Sequence, residues 1–463
     1  MLALILSAAM VLSRPGTPKA VEVSAGAWDL PVDFTAADAP ARAVWDFLVP
    51  LTTQGHETAP LTVPRGVGFD FRCDDLAQFS GFNFFLVAAD GQSFCAKFGP
   101  ERVGDWERIE LRRNDFIPQP SLAAWRKGFK SFTVAAWRNG TGRTALGIRN
   151  VDAARPLPLP PPVPAEVVDR CLARMTPPAA DELSLVSIHD ADAVMDWPAA
   201  IASAKKWGFR GVIASVSESP AAFEACRDAC AAEGVAFHVS VRAFKRAGKG
   251  ARQIRREDGK PETQWACPSD PATRGAVVAA AVSAATRGAA GVQLDFIRYA
   301  SPSTCSCAAC RRRADRIRQT VAEVRAAVKA VSPDCLLGAA VFPNRCSDAK
   351  TLGQDWPRWC REGLLDVVSP MDYIASTALL QEVLRTQREA AGAVRLVPYV
   401  GLNVLPSGVN RPLRLAEQVS LVRNLGLSGF CVFNFNRHSS NDLQRVFGPC
   451  KPKIEVQSLS RAR

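Results

Sequence analysis

Between residues 183 and 447, short apolar runs alternate with Ala-, Arg- and Glu-rich stretches of helical length. The strand-like runs are Leu183–Ile188, Gly211–Val216, Ala236–Val241, Val292–Ile297, Leu336–Val341, Val367–Met371, Leu396–Val400 and Phe430–Phe435. Helical stretches between them include Ser219–Glu233, Pro271–Arg287, Arg311–Val331 and Leu413–Leu425, with a short last one at Ser440–Phe447. Parallel strands are buried on both faces and read as near-continuous apolar runs, and each needs a crossover helix to reach the next. Eight such units make a closed (β/α)8 barrel. A doubly wound open sheet is the competing architecture, but no GxGxxG-type loop opens any unit. Gly211, Gly291 and Gly429 each begin a strand, where a helix C-terminus is expected to precede them.

The segment Pro156–Pro164, PLPLPPPVP, excludes helix and central strand and behaves as a stiff spacer. Upstream of it the pattern changes to short strands parted by turn signals: Gly68–Arg72, Phe82–Val87, Trp106–Leu111, Phe132–Trp137 and Thr144–Ile148, with a hairpin turn at Asp90-Gly91. This predicts an all-β sandwich, jelly-roll-like, over 20–155. The expected organisation is an N-terminal segment 1–19, the sandwich 20–155, the linker 156–164, the barrel 165–450 and a basic tail 451–463.

The chain has 463 residues, 48% of them hydrophobic, which excludes a disordered protein. No apolar run reaches the ~18 residues of a membrane-spanning helix. The opening MLALILSAAMVLS resembles the apolar region of an export signal without a preceding Lys or Arg; the alternative is a structural first strand. Export implies a secreted or periplasmic location. Net charge is +12, but the basic residues are spread along the chain with no Lys/Arg-rich helix or RNP-like aromatic pattern, so no nucleic-acid partner is expected. The basic stretch Lys245–Arg256 after the third strand reads either as a solvated loop or as a patch attracting an anionic polysaccharide.

In a barrel, chemistry belongs at the C-terminal ends of the strands. Those positions hold His189 and Asp190, Ser215 and Glu218, Arg242, Asp295 with Arg298 and Tyr299, Asn344, Asp372 with Tyr373, Tyr399 and Asn403, then Asn434 and Asn436. Carboxylates, amides and tyrosines in such number suit a sugar, and glycosidic cleavage uses two carboxyl groups of different pKa. Asp295 interrupts an apolar strand; a buried carboxylate there is either paired with Arg298 or aimed into the barrel mouth. The fifth strand, GAAVFPN, ends without a Glu. Asp372, Glu218 and Asp190 are the remaining choices of partner for Asp295, the alternative for Asp372 being a helix cap or an Arg pair.

Gly291-Val-Gln-Leu-Asp-Phe-Ile-Arg-Tyr-Ala300 resembles the GIHLDYIRYP signature of bacterial glycosyl-hydrolase-like family 10 proteins. Trp265–Arg274 (WACPSDPATR) and Asp366–Tyr373 (DVVSPMDY) are similar to two further segments of that family, and the likeness spans roughly 180–447. Ala300 stands where the family commonly has Pro. The resemblance implies a (β/α)8 glycosidase with Asp295 as the leading catalytic residue, and Asp372, on a strand that carries one of the family's segments, ranks first as its partner. Arg298, Tyr299, Tyr373, His189, Glu218, Arg242, Tyr399, Asn434 and Asn436 are then expected to hold a polysaccharide or oligosaccharide, and no cofactor is expected. Met371–Tyr373 is also similar to the M-x-Y segment of family 18 chitinases, but the D-x-x-D-x-D-x-E signature is absent. The alternative function is a non-catalytic polysaccharide-binding protein on a degenerate barrel.

Cys305-Ser-Cys307-Ala-Ala-Cys310 follows the fourth strand, with Cys267 in the preceding loop. The cysteines form disulfides, a zinc site or free thiols; disulfides fit export best. Cys73 and Cys95 are a further candidate pair, while Cys226 and Cys230, one helical turn apart, read as core. The four histidines, His56, His189, His238 and His438, form no HxH or HExxH. Trp106, Trp125 and Trp137 either stack on sugars or fill the sandwich core, and the segments Phe69–Arg72, Trp106–Leu111 and Trp137–Asn150 resemble galactose-binding jelly rolls.

Overall fold

The computed structural model describes residues 10–49, 51, 66–153, 157, 162–189, 196–245, 252–256, 258–300, 305–401, 405–406, 409–436 and 438–448. Asp190, Asn403, His56, most of the proline run and the basic tail lie outside them.

The strands of the N-terminal half are β1 (Met10–Ser13), β2 (Val21–Ser24), β3 (Ala27–Asp33), β4 (Arg42–Leu48), β5 (Gly66–Cys73), β6 (Phe79–Val87), β7 (Ser93–Phe98), β8 (Glu107–Arg112), β9 (Ser131–Arg138) and β10 (Arg143–Asp152). They form two antiparallel five-stranded sheets, ordered β1-β4-β9-β6-β7 and β2-β3-β10-β5-β8. The inward positions of both sheets are aromatic. Phe47, Phe132, Phe84 and Phe69 stack in succession at centroid distances of 4.5, 5.2 and 4.8 Å, and each is fully buried. Alternation of this kind puts every second side chain on one face, and the two faces close on each other as a sandwich. Met10–Ser13, inside the apolar N-terminal run, pair with β4 as an edge strand, and Arg14 then meets Asp46 at 2.8 Å. A short helix, Leu122–Lys127, is an element the sequence pattern does not signal; it carries Trp125, which is 1% exposed and belongs to the core.

The C-terminal half carries β11 (Leu183–Ile188), β12 (Gly211–Ala214), β13 (Ala236–Arg242), β14 (Gln253–Arg255), β15 (Pro261–Ala266), β16 (Gly291–Asp295), β17 (Leu336–Val341), β18 (Val367–Asp372), β19 (Arg395–Leu396), β20 (Tyr399–Gly401) and β21 (Gly429–Phe433). All but β14 and β15 pair in parallel, in the order β17-β16-β13-β12-β11-β21-β20-β18-β19, and the β17–β18 pairing closes the ring. The fold is a β-sandwich followed by a (β/α)8 barrel. The seventh expected strand is split, because the segment between β19 and β20 contains Pro398, which has no N–H to donate. The β14–β15 hairpin is an insertion after the third barrel strand, which strand-helix alternation alone does not reveal.

Glycine within the barrel strands has a further physical reason. A Cβ at Gly291 would collide with His238 Nδ1, and one at Gly338 with Gln293 Oε1, so these glycines make room for polar side chains filling the barrel. His238 is buried there, and burial lowers its pKa to about 4, which keeps the ring neutral.

The two halves are joined by polar contacts around the helix Thr377–Ala391. Ser376 caps it through Leu379 N at 3.0 Å, and the Glu101 carboxylate from the sandwich accepts Thr377 N at 3.0 Å and Ala378 N at 3.3 Å. Negative charge at a helix N-terminus is favourable. Ser80 donates to Asn344 Oδ1 at 2.7 Å, and Arg345 to the Asn139 carbonyl at 2.9 Å. No helix among the described residues is long and apolar enough to cross a membrane.

Candidate active site

Side-chain parity decides which strand-end residues reach the barrel interior. Leu185, Ile213, Ala340, Val367, Val397, Tyr399 and Cys431 form the interior cluster, with Met371, Tyr373 and Phe433 packed on it toward the C-terminal end. Successive strand residues point to opposite faces. Extending the same alternation brings His189, Ser215, Arg242 and Asp295 to the same mouth, and Arg242 is the register partner of Asp295. His189 lies 3.4 Å from Ser215 Oγ through Nδ1, and its ring packs on Phe433 at 5.5 Å. Among the described residues, Asp295 is the one carboxyl at a lumen-facing position near the strand C-termini.

The Asp295 side chain turns back to accept its neighbour Phe296 N–H at 2.7 Å. Phe296 has φ 51°, a left-handed backbone rarely held by a bulky residue, and such strain is concentrated at functional sites. Burial raises the Asp295 pKa; the Phe296 N–H, then His189, Arg298 and Arg242, pull it back down. Tyr373 and Tyr399 both stand within electrostatic reach of Asp295, and burial pushes both hydroxyls far above their ordinary range.

Arg298 is held by two aromatic faces, Trp265 at 4.7 Å and Phe342 at 4.6 Å, and donates to the Tyr299 carbonyl at 3.0 Å. Burial lowers its pKa to about 10, against the attraction of Asp295 and Asp348. Asp348 was not singled out by the sequence. It lies on the helix Arg345–Thr351 after the fifth barrel strand, is 3% exposed, and burial raises its pKa to about 7. Its Oδ2 has no hydrogen-bond partner. The only sequence signal for it is its place in the loop region following a barrel strand.

Four expected site residues are placed elsewhere. Asp372 sits between Met371 and Tyr373 and so faces outward from the barrel. It is fully buried, accepts Gln387 Nε2 at 2.8 Å, and feels Lys97 of the sandwich, so it is not the lumen partner of Asp295. Tyr299 is fully buried, with Cys310 and Ser269 as its polar neighbours, because the left-handed turn at Phe296 breaks the strand alternation. Asn436 organises the turn before the last helix, its Oδ1 accepting His438 N at 2.9 Å and Ser439 N at 3.1 Å. Glu218 is exposed on the loop after β12. Asn434 is 6% exposed and accepts from Asn436 Nδ2 at 3.3 Å.

A cleft of about 660 Å³ lies between the C-terminal end of β18 and the first sheet of the sandwich; Asp295, His189, Arg242 and Arg298 do not line it, and Tyr373 is the residue it shares with the surroundings of Asp295. Met371 and Tyr373 line it from the barrel, and Asn83, Lys97 and Trp137 from the sandwich. Trp137 donates its indole N–H to Asn83 and carries the Arg42 guanidinium at 4.9 Å. Of the three tryptophans named above, Trp137 is thus the one lining the cleft, while Trp106 is stacked between Arg72 and Arg149. Lys245, the described part of the basic stretch at its start, lies 4.8 Å from the Phe296 ring.

The thirteen described cysteines are all free, so neither the Cys73–Cys95 pair nor the expected loop disulfides are formed. Cys267, Cys305, Cys307 and Cys310 nevertheless converge beside the mouth.

No protein-family model and no curated protein matches the chain. Among solved structures it is similar to an exo-β-agarase, at 8% identity over 92% of this chain and 91% of that one, with a TM-score of 0.42. It is also similar to the glycoside hydrolase domain of PelA from Pseudomonas aeruginosa, at 14% identity over 54% and 94% of the two chains, TM-score 0.36. A third is the spore cortex-lytic enzyme SleL of Bacillus megaterium, at 11% identity over 59% and 76%, TM-score 0.39. Scores this low leave the functional argument to the site itself.

Proposed function

We propose that the protein is a glycoside hydrolase of the kind its family 10 resemblance implies, acting on a polysaccharide that enters the barrel mouth at Asp295 and extends past Tyr373 into the cleft between sandwich and barrel. The observation that carries this is Asp295: a lumen-facing carboxyl whose burial favours the protonated form, surrounded by tyrosines and cations. In that role Asp295 gives its proton to the leaving glycosidic oxygen as the bond from that oxygen to the anomeric carbon breaks. His189, Arg242 and Arg298 favour the carboxylate left behind. Tyr373 and Tyr399 border the sugar on the adjoining strands. The group attacking the opposite face is water or a neighbouring group of the sugar itself, since Asp372 faces away from the lumen. Arg242, Lys245 and Arg298 favour an acidic polymer over a neutral one. Such a substrate fits a secreted or periplasmic protein.

A binding scaffold without turnover is the second reading, favoured by the single lumen-facing carboxyl among the described residues. Incubation with neutral and acidic polysaccharides separates the two. Hydrolysis predicts new reducing ends; retention of a polymer with no product at any pH establishes the scaffold instead. In the same assay Trp137→Ala is expected to raise KM roughly 10-fold with kcat little changed, because removing an aromatic platform remote from Asp295 costs about 1–2 kcal/mol of uniform binding. An unchanged KM removes the sandwich wall from the substrate path.

A further inference from the structure

We propose that Cys267, Cys305, Cys307 and Cys310 form a structural zinc site that ties the β14–β15 insertion to the loop following β16. The four Sγ atoms lie within 4.8 Å of one another, and the close pairs are Cys307–Cys310 at 3.3 Å, Cys267–Cys310 at 3.5 Å and Cys267–Cys305 at 3.8 Å. A disulfide brings two sulfurs to about 2.05 Å and leaves the other pair apart. Four thiolates around a tetrahedral zinc, each about 2.3 Å from it, stand about 3.8 Å from each other. The observed spacing is that of one ligand shell rather than of two crosslinks.

The surroundings support a thiolate shell. The Cys267 sulfur accepts the backbone N–H of Ser269, and the Cys305 sulfur accepts those of Cys307 and Arg255. In both cases one donor is the residue two positions on, which fixes the sulfur's direction. Ser269 Oγ lies 2.9 Å from Cys310 Sγ. The Arg252 guanidinium faces Cys267 and Cys305 and hydrogen-bonds Cys307, offsetting part of the −2 charge that four thiolates leave on a zinc ion. Such outer contacts orient ligands and tune the metal. An all-sulfur set rejects Mg²⁺ and Ca²⁺, which take oxygen, and four protein ligands leave zinc no open position for a reacting water. The role is therefore positional. Trp265, two residues before Cys267, carries Arg298 on its face, so the metal fixes the wall beside Asp295.

This inference is independent of the hydrolase reading, because metal content is measured without substrate. Full-length protein produced with added zinc is expected to contain one zinc per chain by elemental analysis. Its four site cysteines are expected to resist alkylation until a strong chelator is added, as read by peptide mass spectrometry. Cobalt in place of zinc should give intense sulfur-to-metal charge-transfer absorption. Cys310→Ser should lose the zinc, and Cys346→Ser, at an exposed site away from the cluster, should keep it. Should Cys310→Ser fail to fold, the wild-type protection experiment decides alone. Metal-free protein with disulfide-linked site cysteines, four freely alkylated thiols in zinc-supplemented protein, or iron in place of zinc would each overturn the assignment.

Discussion

Asp295→Asn is expected to lower kcat on the preferred polysaccharide by about 10²–10⁴-fold, the range a positioned general acid contributes, with KM changed only a few-fold. Asparagine keeps the shape and can still accept the Phe296 N–H, so the fold is retained and the loss reports the proton. The pH dependence supplies an independent check. A general acid works in its protonated form, so wild-type activity declines as pH rises through the Asp295 pKa. Burial puts that decline above the ordinary carboxylate range. Arg298 stabilises the ionised form, so Arg298→Gln is expected to move the decline to still higher pH. An Asp295→Asn protein retaining more than a tenth of wild-type turnover would remove Asp295 from the chemistry.

How far such a site is legible in sequence depends on the period of each segment. The eight barrel strands are readable because two-sided burial makes them continuous apolar runs. That same property hides which face each residue takes, since no polar alternation marks the outside. Asp295 stands out in its strand because a carboxyl among Val, Leu and Ile needs a reason. Asp372 looks equally exceptional, and only Tyr373 beside it, packed on the barrel interior, shows that Asp372 must face outward. Tyr299 is unreadable by alternation, because the positive φ at Phe296 ends the strand geometry before it. Asp348 and the sandwich-lined cleft depend on contacts between segments far apart in the chain, such as Ser80 with Asn344, which no local pattern contains. The cysteine spacing was legible as a cluster, but convergence with Cys267 across the β14–β15 hairpin needed the fold.

The outward carboxyl makes a second strong prediction: Asp372→Asn should stabilise the protein at pH 8 while leaving activity within a few-fold of wild type. Burial raises the Asp372 pKa from 3.8 to about 7, with Gln387 and then Lys97 opposing it. Between those values the unfolded chain releases the proton and the folded chain keeps it. Folding is therefore progressively penalised as pH rises from about 4 to about 7, and the penalty is constant above that. Roughly three pKa units correspond to about 4 kcal/mol. Asparagine does not titrate, so the two proteins should match in stability near pH 4 and diverge by about 2–4 kcal/mol at pH 8. Hydrogen bonding points the same way. Asp372 Oδ2 and Gln387 Oε1 are both buried without a partner, and an amide, or a protonated acid, supplies a donor where the carboxylate has none. Asp348→Asn leaves this comparison untouched, since Asp348 contributes equally to both proteins. Urea unfolding at pH 4 and pH 8 measures the difference. A variant less stable at pH 8 would mean that Lys97 holds Asp372 ionised as a buried ion pair, and a large loss of turnover would return Asp372 to the catalytic pair that the strand-end reading assigned it.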